Sequence, residues 1–91
     1  MYELINSNKF KKDLSNKVND PKFPLTELKQ ITKDIVNQKE LNIKYRNHKL
    51  SGEWDGCFEF HLRPDILVIY KIDKMRNIVY FIRIGSHSEL F

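Results

Sequence analysis

The sequence predicts an α+β fold of two layers, in which a helical hairpin packs on one face of a mostly antiparallel sheet. The first observation is the period of the apolar residues. It is helical in the first half of the chain and changes to two residues, as in a strand, after Asn47. The second is that two amphipathic helices each need an apolar surface to cover, and a three- or four-stranded sheet supplies one. At 91 residues the chain is expected to form one domain spanning 1–91.

The chain begins with a predicted strand that leads into a helix. Residues 2–5 alternate between apolar and polar side chains, and residues 6–8 offer side chains that can cap a helix. The apolar stripe of this helix repeats every four residues. Its members are Phe10, Leu14 and Val18. We expect the helix to end near Asn19, because Pro21 follows.

A second helix and an irregular segment follow. Apolar residues repeat at helical spacing from about Pro24 to Gln38, so this helix forms a hairpin with the first. Residues 37–47 are polar and irregular, and three apolar side chains among them are expected to lie against the core. These are Leu41, Ile43 and Tyr45.

The second half predicts three strands, which completes the order β-α-α-β-β-β. Residues 57–63 alternate, so Glu59, His61 and Arg63 are expected on one polar face. A turn at residues 64–65 leads to residues 66–72, which are apolar on both faces, as in a central strand. After a hairpin loop, the last strand spans 77–84. The sheet face away from the helices is expected to be free for chemistry.

Composition and charge restrict the function classes. Sixteen basic against twelve acidic residues give a net charge of +4, which favours a polyanionic partner. The single Cys57 cannot form an internal disulfide, and no basic and apolar leader opens the sequence, so we expect a cytoplasmic protein. The longest apolar runs are far shorter than the roughly 20 residues that span a bilayer, so no membrane association is expected.

Three histidines, His48, His61 and His87, lie in the second half, near loops or on the polar strand face. Imidazoles beside a carboxylate and an arginine suit general acid–base cleavage of RNA, with the substrate's own 2′-hydroxyl as nucleophile. Asp65 follows a turn after His61 and can converge with it, although Pro-Asp is also common turn chemistry. Zinc binding is the alternative use of the histidines, but the chain has no H-x-x-x-H or C-x-x-C spacing.

Two further residues have both a functional and a structural interpretation. Arg83 interrupts an apolar strand, and a phosphate or exposure to solvent would satisfy its charge. Trp54, in a loop between two glycines, is either a platform for a base or an anchor in the core. Gly85 and Ser86 are expected to place His87 in a flexible turn near Arg83.

Three motifs give the sequence a specific resemblance. They are NHKLSGEWDG at 47–56, the H-x-x-P-D formed by His61, Pro64 and Asp65, and RIGSHSELF at 83–91. Together they resemble the YafQ branch of the RelE/ParE toxin superfamily. The match covers residues 45–91, while the first half agrees in its strand-helix-helix pattern.

The resemblance implies a bacterial type II toxin with a RelE/ParE-like fold. Such a toxin is an endoribonuclease that cleaves mRNA, commonly on the ribosome. Because proton transfer and an arginine suffice for this reaction, we expect no metal or other cofactor. It also implies a cognate antitoxin that inhibits the toxin and forms a DNA-binding autorepressor complex with it.

The resemblance further implies roles for individual residues. His87 matches the general acid, Arg83 the cation that stabilises the phosphate, and Phe91 an aromatic residue near the substrate base. His48, His61 and Asp65 match residues with base or positioning roles, whose division stays open. The residues of the candidate site are His48, His61, Asp65, Arg83 and His87 for catalysis, and Trp54, Arg63 and Phe91 for substrate binding.

Two other functions fit the same scaffold. A ParE-like toxin would bind a protein target without catalysis, and a plain RNA-binding module would bind RNA without cutting it. Neither needs the combination of histidines, aspartate and arginine, which therefore favours the nuclease.

Overall fold

A computed structural model describes residues 1–91 and contains one five-stranded sheet in the order β1-β5-β4-β3-β2. Strand β1 runs parallel to β5, and all other neighbours are antiparallel. The elements are β1 (Glu3–Asn6), α1 (Asn8–Lys17), α2 (Leu25–Val36), β2 (His48–Lys49), β3 (Phe58–Arg63), β4 (Ile66–Asp73), β5 (Ile78–Gly85) and α3 (His87–Leu90). None of the helices is long and apolar enough to cross a membrane.

The predicted α+β architecture with its helical hairpin and mostly antiparallel sheet is confirmed. Two elements are additional, the two-residue strand β2 and the four-residue helix α3. Both are too short for a periodic pattern to reveal them. Helix α1 ends at Lys17, two residues before the predicted end, and begins where the Ser7 hydroxyl accepts the Phe10 N–H.

The main core lies between the helical hairpin and one face of the sheet. Helix α2 contributes Leu28, Ile31 and Ile35, all buried, which is the stripe that helical spacing predicts. The centre of the core is an aromatic cluster, in which ring centroids lie 5.3 to 6.5 Å apart. Its members are Phe10, Phe60, Tyr70 and Phe81.

The segment between α2 and β2 meets the expectation in part. Leu41 and Tyr45 pack against the core as predicted. The prediction for Ile43 is wrong, because its side chain is 92% exposed on a short 3₁₀ turn. That turn directs neighbouring side chains to different sides, so only two of the three apolar residues reach the core.

The second face of the sheet is not left free, contrary to the expectation. A smaller apolar cluster lies on it, covered by α3 and by the loop that carries Trp54. Its buried members are Cys57, Leu67, Ile69 and Leu90. Strand β4 is therefore buried on both faces, and polar side chains on the second face are confined to the margins of this apolar floor.

Two β-bulges change which way charged side chains point. The pairing of β4 with β5 shifts where Ile69 faces Arg83 but Tyr70 faces Phe81, so Ile82 is the extra residue. The pairing of β3 with β4 shifts between His61 and Arg63. Because a bulge interrupts the alternation of side chains, neither arginine lies where a regular strand would place it.

We expect Phe81→Leu to lower the free energy of unfolding by about 1 to 3 kcal/mol, because the Phe81 ring is buried at the centre of the aromatic cluster. Urea unfolding measures the change. As a control, Met75→Ala alters a side chain that is 99% exposed and should stay within about 0.5 kcal/mol of wild type. Equal losses in the two variants would contradict the assignment of the core.

Candidate functional site

The candidate site lies on the second face of the sheet, where cross-strand pairing sets side chains in rows. His48 pairs with Glu59, Glu59 with Ile69, and Ile69 with Arg83, so one row crosses four strands. The next row contains His61, Leu67 and Gly85. Directly paired residues share a face, so these rows bring residues from all of the matched motifs to one side of the sheet.

The first group is His48, Glu59 and His61. The Nε2 atoms of His48 and His61 lie 3.6 and 3.3 Å from the same Glu59 oxygen, and the two rings are 6.0 Å apart. Glu59 is buried, His61 is mostly buried, and the His48 side chain is 48% exposed. One buried carboxylate therefore holds two imidazoles, of which one opens to solvent.

Hydrogen bonding fixes the protonation pattern of His48. Its Nδ1 lies 2.7 Å from the Arg46 carbonyl oxygen, which can only accept a hydrogen bond. Neutral His48 therefore carries its proton on Nδ1 and keeps a lone pair on Nε2. That lone pair is available to take a proton, and the Glu59 carboxylate faces the imidazolium that would form.

Glu59 is absent from the residues predicted for the site, although it belongs to the same alternating strand. Its Oε2 atom and the Nδ1 atom of His61 are buried and have no hydrogen-bond partner in the protein. Buried polar atoms without a partner are costly, and in functional sites they often face a ligand. A carboxylate two residues before His61, on the same face of the alternating strand, was the available sequence signal.

The same three residues have the geometry of a metal site. One donor atom from each of His48, Glu59 and His61 lies within 4.8 Å of the others. Imidazole and carboxylate donors suit zinc and copper. Spacing along the chain could not reveal this group, because strand pairing rather than a local motif brings His48 to Glu59.

The second group surrounds His87, which is exposed at the first residue of α3. The prediction of a flexible turn is wrong, because Ser86 and Glu89 cap this helix reciprocally. The Asp65 carboxylate accepts the backbone N–H of His87 at 3.3 Å. In this geometry Asp65 holds the backbone of His87 and forms no hydrogen bond or ion pair with His48 or His61.

An aromatic series connects His87 to the loop before β3. The His87 and Phe91 rings are 5.3 Å apart, and Phe91 lies 6.3 Å from Trp54 in an edge-to-face arrangement. Phe91 is 56% exposed, whereas Trp54 packs partly against the small apolar cluster. Trp54 thus anchors the loop and also supports an exposed ring beside His87.

The two groups do not touch. His61 pairs with Leu67 and Leu67 with Gly85, so two strand spacings of about 4.8 Å separate the backbone of His61 from that of Gly85. His87 follows two residues later. The imidazoles therefore lie on two sides of an apolar cluster that includes buried Leu67 and Ile69.

The two arginines have intramolecular partners. Arg83 forms a two-pronged ion pair with Asp13 of α1, so a carboxylate, and not solvent, satisfies its charge in this structure. Arg63 bonds Glu27 of α2 at 3.0 Å, and Glu27 also accepts the Tyr45 hydroxyl. The expectation that Arg63 lies beside Glu59 and His61 on one face is wrong, because the bulge after His61 turns it toward α2.

Comparison with known proteins places this architecture in a family. A model of the YafQ toxin, a bacterial toxin of type II toxin-antitoxin systems, matches residues 2–91. The chain belongs to the YafQ toxin family. The resemblance inferred from the motifs of the second half is thereby confirmed, and it extends over the first half as well.

A curated YafQ protein is similar over part of its length. The mRNA interferase toxin YafQ of Escherichia coli K12 is 40% identical over 58 residues. The aligned segment spans 63% of this chain and 60% of that protein. A second, from Escherichia coli strain BL21-DE3, is 38% identical over the same shares.

Solved YafQ-like structures match the whole fold. A metal-bound toxin from Helicobacter pylori has a TM-score of 0.93 at 38% identity, with all of both chains covered. YafQ from E. coli BL21(DE3) has a TM-score of 0.89 at 27% identity, covering 100% of this chain and 99% of that one. YafQ in the E. coli DinJ–YafQ complex has a TM-score of 0.86 at 27% identity with the same coverage.

In this YafQ-family chain, Glu89 links α3 to α1, and we expect this link to affect the stability of the protein in acid. A hydrogen bond from Lys17, followed in size by one from the Ser86 backbone, lowers the pKa of Glu89 to about 2. A carboxyl whose pKa is lowered by folding stabilises the protein above its ordinary pKa and loses that effect as the pH falls through the folded value. As the pH falls from about 4.5 to about 2, the melting temperature of Glu89→Gln should therefore decrease less than that of wild type. An equal decrease of melting temperature with pH in the two proteins would contradict the assignment.

Proposed function

We propose that this protein is an endoribonuclease toxin that cleaves mRNA by acid–base transphosphorylation without a metal. The observation that carries the proposal is that His48 and His61, joined by Glu59, lie on one side of the small apolar cluster, and His87 lies on the other. The name of the E. coli relative, an mRNA interferase toxin, supports the substrate class. A ParE-like toxin that only binds a protein target would not need imidazoles on two sides of this apolar cluster.

We also propose the partners that a type II toxin requires. The E. coli DinJ–YafQ complexes support a cognate antitoxin, which would inhibit this chain and form a DNA-binding autorepressor complex with it. We further propose that mRNA is cleaved on the ribosome, in the cytoplasm, as the resemblance of the motifs implies. The net charge of +4 supports binding to RNA.

In the proposed reaction His48 is the general base. The Nε2 atom of its half-exposed side chain takes the proton of the ribose 2′-hydroxyl, and the 2′-oxygen attacks the adjacent phosphorus. The bond to the 5′-oxygen breaks, which leaves a 2′,3′-cyclic phosphate. Glu59 stabilises the imidazolium that forms and, with its second contact, orients His61.

His87 is the proposed general acid, and it gives its proton to the departing 5′-oxygen. Asp65 positions it through the backbone bond, and the capped α3 keeps it at the margin of the apolar cluster. Arg83 stabilises the charge that develops on the phosphate. The exposed ring of Phe91, supported by Trp54, offers a stacking surface for a base.

The metal-bound H. pylori relatives raise the question of what a metal would do here. The donors of His48, Glu59 and His61 fit zinc or copper, which would supply Lewis acidity when bound. The imidazole lone pairs that hold a metal cannot also accept a proton. Our proposal gives the proton transfer to the imidazoles, so a metal at these donors would inhibit it.

The ribose 2′-hydroxyl is the nucleophile of the proposed reaction, and its role can be tested with purified protein. A purified preparation should cut an RNA in the presence of EDTA and leave a 2′,3′-cyclic or 3′-phosphate and a 5′-hydroxyl. An RNA with 2′-O-methylation at the scissile nucleotide should resist cleavage, because its nucleophile is blocked. Normal cleavage of the methylated RNA, or activity that EDTA abolishes and zinc restores, would disprove the mechanism.

The second prediction concerns the general acid. His87→Ala should lower the single-turnover rate by roughly 10²- to 10⁴-fold, as is typical for the loss of a general acid or base. The fold should persist, because the capping of α3 depends on Ser86 and Glu89. Ser88→Ala, at the exposed next residue, is the matched control. A folded His87→Ala variant that cleaves at the wild-type rate would remove His87 from the mechanism.

A further inference from the structure

Asp13 contacts Arg83 through two hydrogen bonds from a helix that the catalytic motifs do not include. Its Oδ2 accepts Arg83 Nε at 2.7 Å, and its Oδ1 accepts Arg83 Nη2 at 3.1 Å. Oδ2 also accepts the backbone N–H of Ile84 at 3.2 Å. Both side chains are largely buried, with 24% of Arg83 and 18% of Asp13 exposed. The carboxylate therefore fixes the side chain of Arg83 and the backbone next to it.

The strand pattern explains why this contact forms. Strand β1 pairs with β5 only as far as Phe81, so the edge of β5 beyond that residue is uncovered by a strand. Helix α1 lies along this edge, where Ser7 bonds the Ile82 carbonyl and Asp13 bonds the Ile84 N–H. The bulge at Ile82 places Arg83 on the site face of the sheet, from which its side chain reaches around the edge to Asp13.

The ion pair with Asp13 uses only two of the N–H donors of Arg83. A guanidinium has five N–H donors, and Asp13 takes one from Nε and one from Nη2. Both hydrogens of Nη1 and one of Nη2 remain, and this pair of nitrogens forms the fork that binds a phosphate through two bonds. Asp13 thus occupies one edge of the guanidinium without blocking the other.

We propose that Asp13 is a positioning residue for RNA cleavage, which holds the guanidinium of Arg83 in place with its free edge presented to the scissile phosphate. The proposal rests on the nuclease function proposed above. Lys17, one helical turn further along α1, bonds Glu89 of α3. Helix α1 therefore fixes both the phosphate-binding arginine and the segment that carries His87.

The values of kcat and KM in Asp13 variants distinguish a positioning role from competition between Asp13 and the phosphate for Arg83. A preorganised cation lowers the energy of the transition state, so its misplacement lowers kcat. Removing the negative charge of Asp13 does not weaken the attraction between Arg83 and RNA in the ground state. If Asp13 instead competed with the phosphate for Arg83, its removal would raise activity or lower KM at an unchanged kcat.

The first experiment compares steady-state cleavage of one RNA by wild type, Asp13→Asn and Asp13→Glu. We expect Asp13→Asn to lower kcat roughly 10- to 100-fold without raising KM, because the amide cannot accept both guanidinium bonds. Asp13→Glu should restore part of kcat. Asp34→Asn, on α2, removes the same charge away from Arg83 and should cleave like wild type. A folded Asp13→Asn variant with wild-type or higher kcat would overturn the proposal.

The second experiment needs no activity. NMR of the RNA-free protein measures how fast the Nε–H of Arg83 exchanges with water. Exchange should be slow in wild type and Asp34→Asn but fast in Asp13→Asn. Fast exchange in wild type would overturn the positioning role. Slow exchange in a wild-type protein that cuts no RNA would instead overturn the nuclease function while supporting the placement of Arg83 by Asp13.

Discussion

Burial of strand β4 on both faces is the constraint on which the rest of the structure depends. Val68 and Tyr70 pack toward the helical hairpin, whereas Leu67 and Ile69 form the floor beneath α3. A strand that is covered on both sides excludes charge from the centre of the sheet. The titratable groups are therefore at the margins of an apolar floor, where they can face one another across it.

The fold could be predicted because its main signals are local. Helical spacing in the first half and alternation in the second each depend on residues a few positions apart, and the strongly apolar residues 66–72 mark a central strand directly. The motifs of the second half likewise indicated His48, His61 and His87 as candidate site residues. Alternation around His61 correctly placed it on the face opposite to Phe60.

The features of the candidate site that the sequence did not predict depend on contacts between residues distant in sequence. Glu59 joins two histidines only because a two-residue strand pairs with β3, and such a strand has no period to detect. The pairing of Arg83 with Asp13 joins positions 70 residues apart. Alternation alone placed Arg63 beside His61, and the bulge between them is invisible to a period of two.

The bulge at Ile82 sets the face of the sheet on which Arg83 lies. If Ile82 were paired regularly, alternation after Phe81 would turn Arg83 toward the helical core and Ile84 away from it. Loss of one residue here would instead restore regular alternation, with Arg83 still on the site face and Ile84 still in the core. Among related sequences, a gap of a single position at this point is therefore compatible with the same fold and the same placement of the arginine.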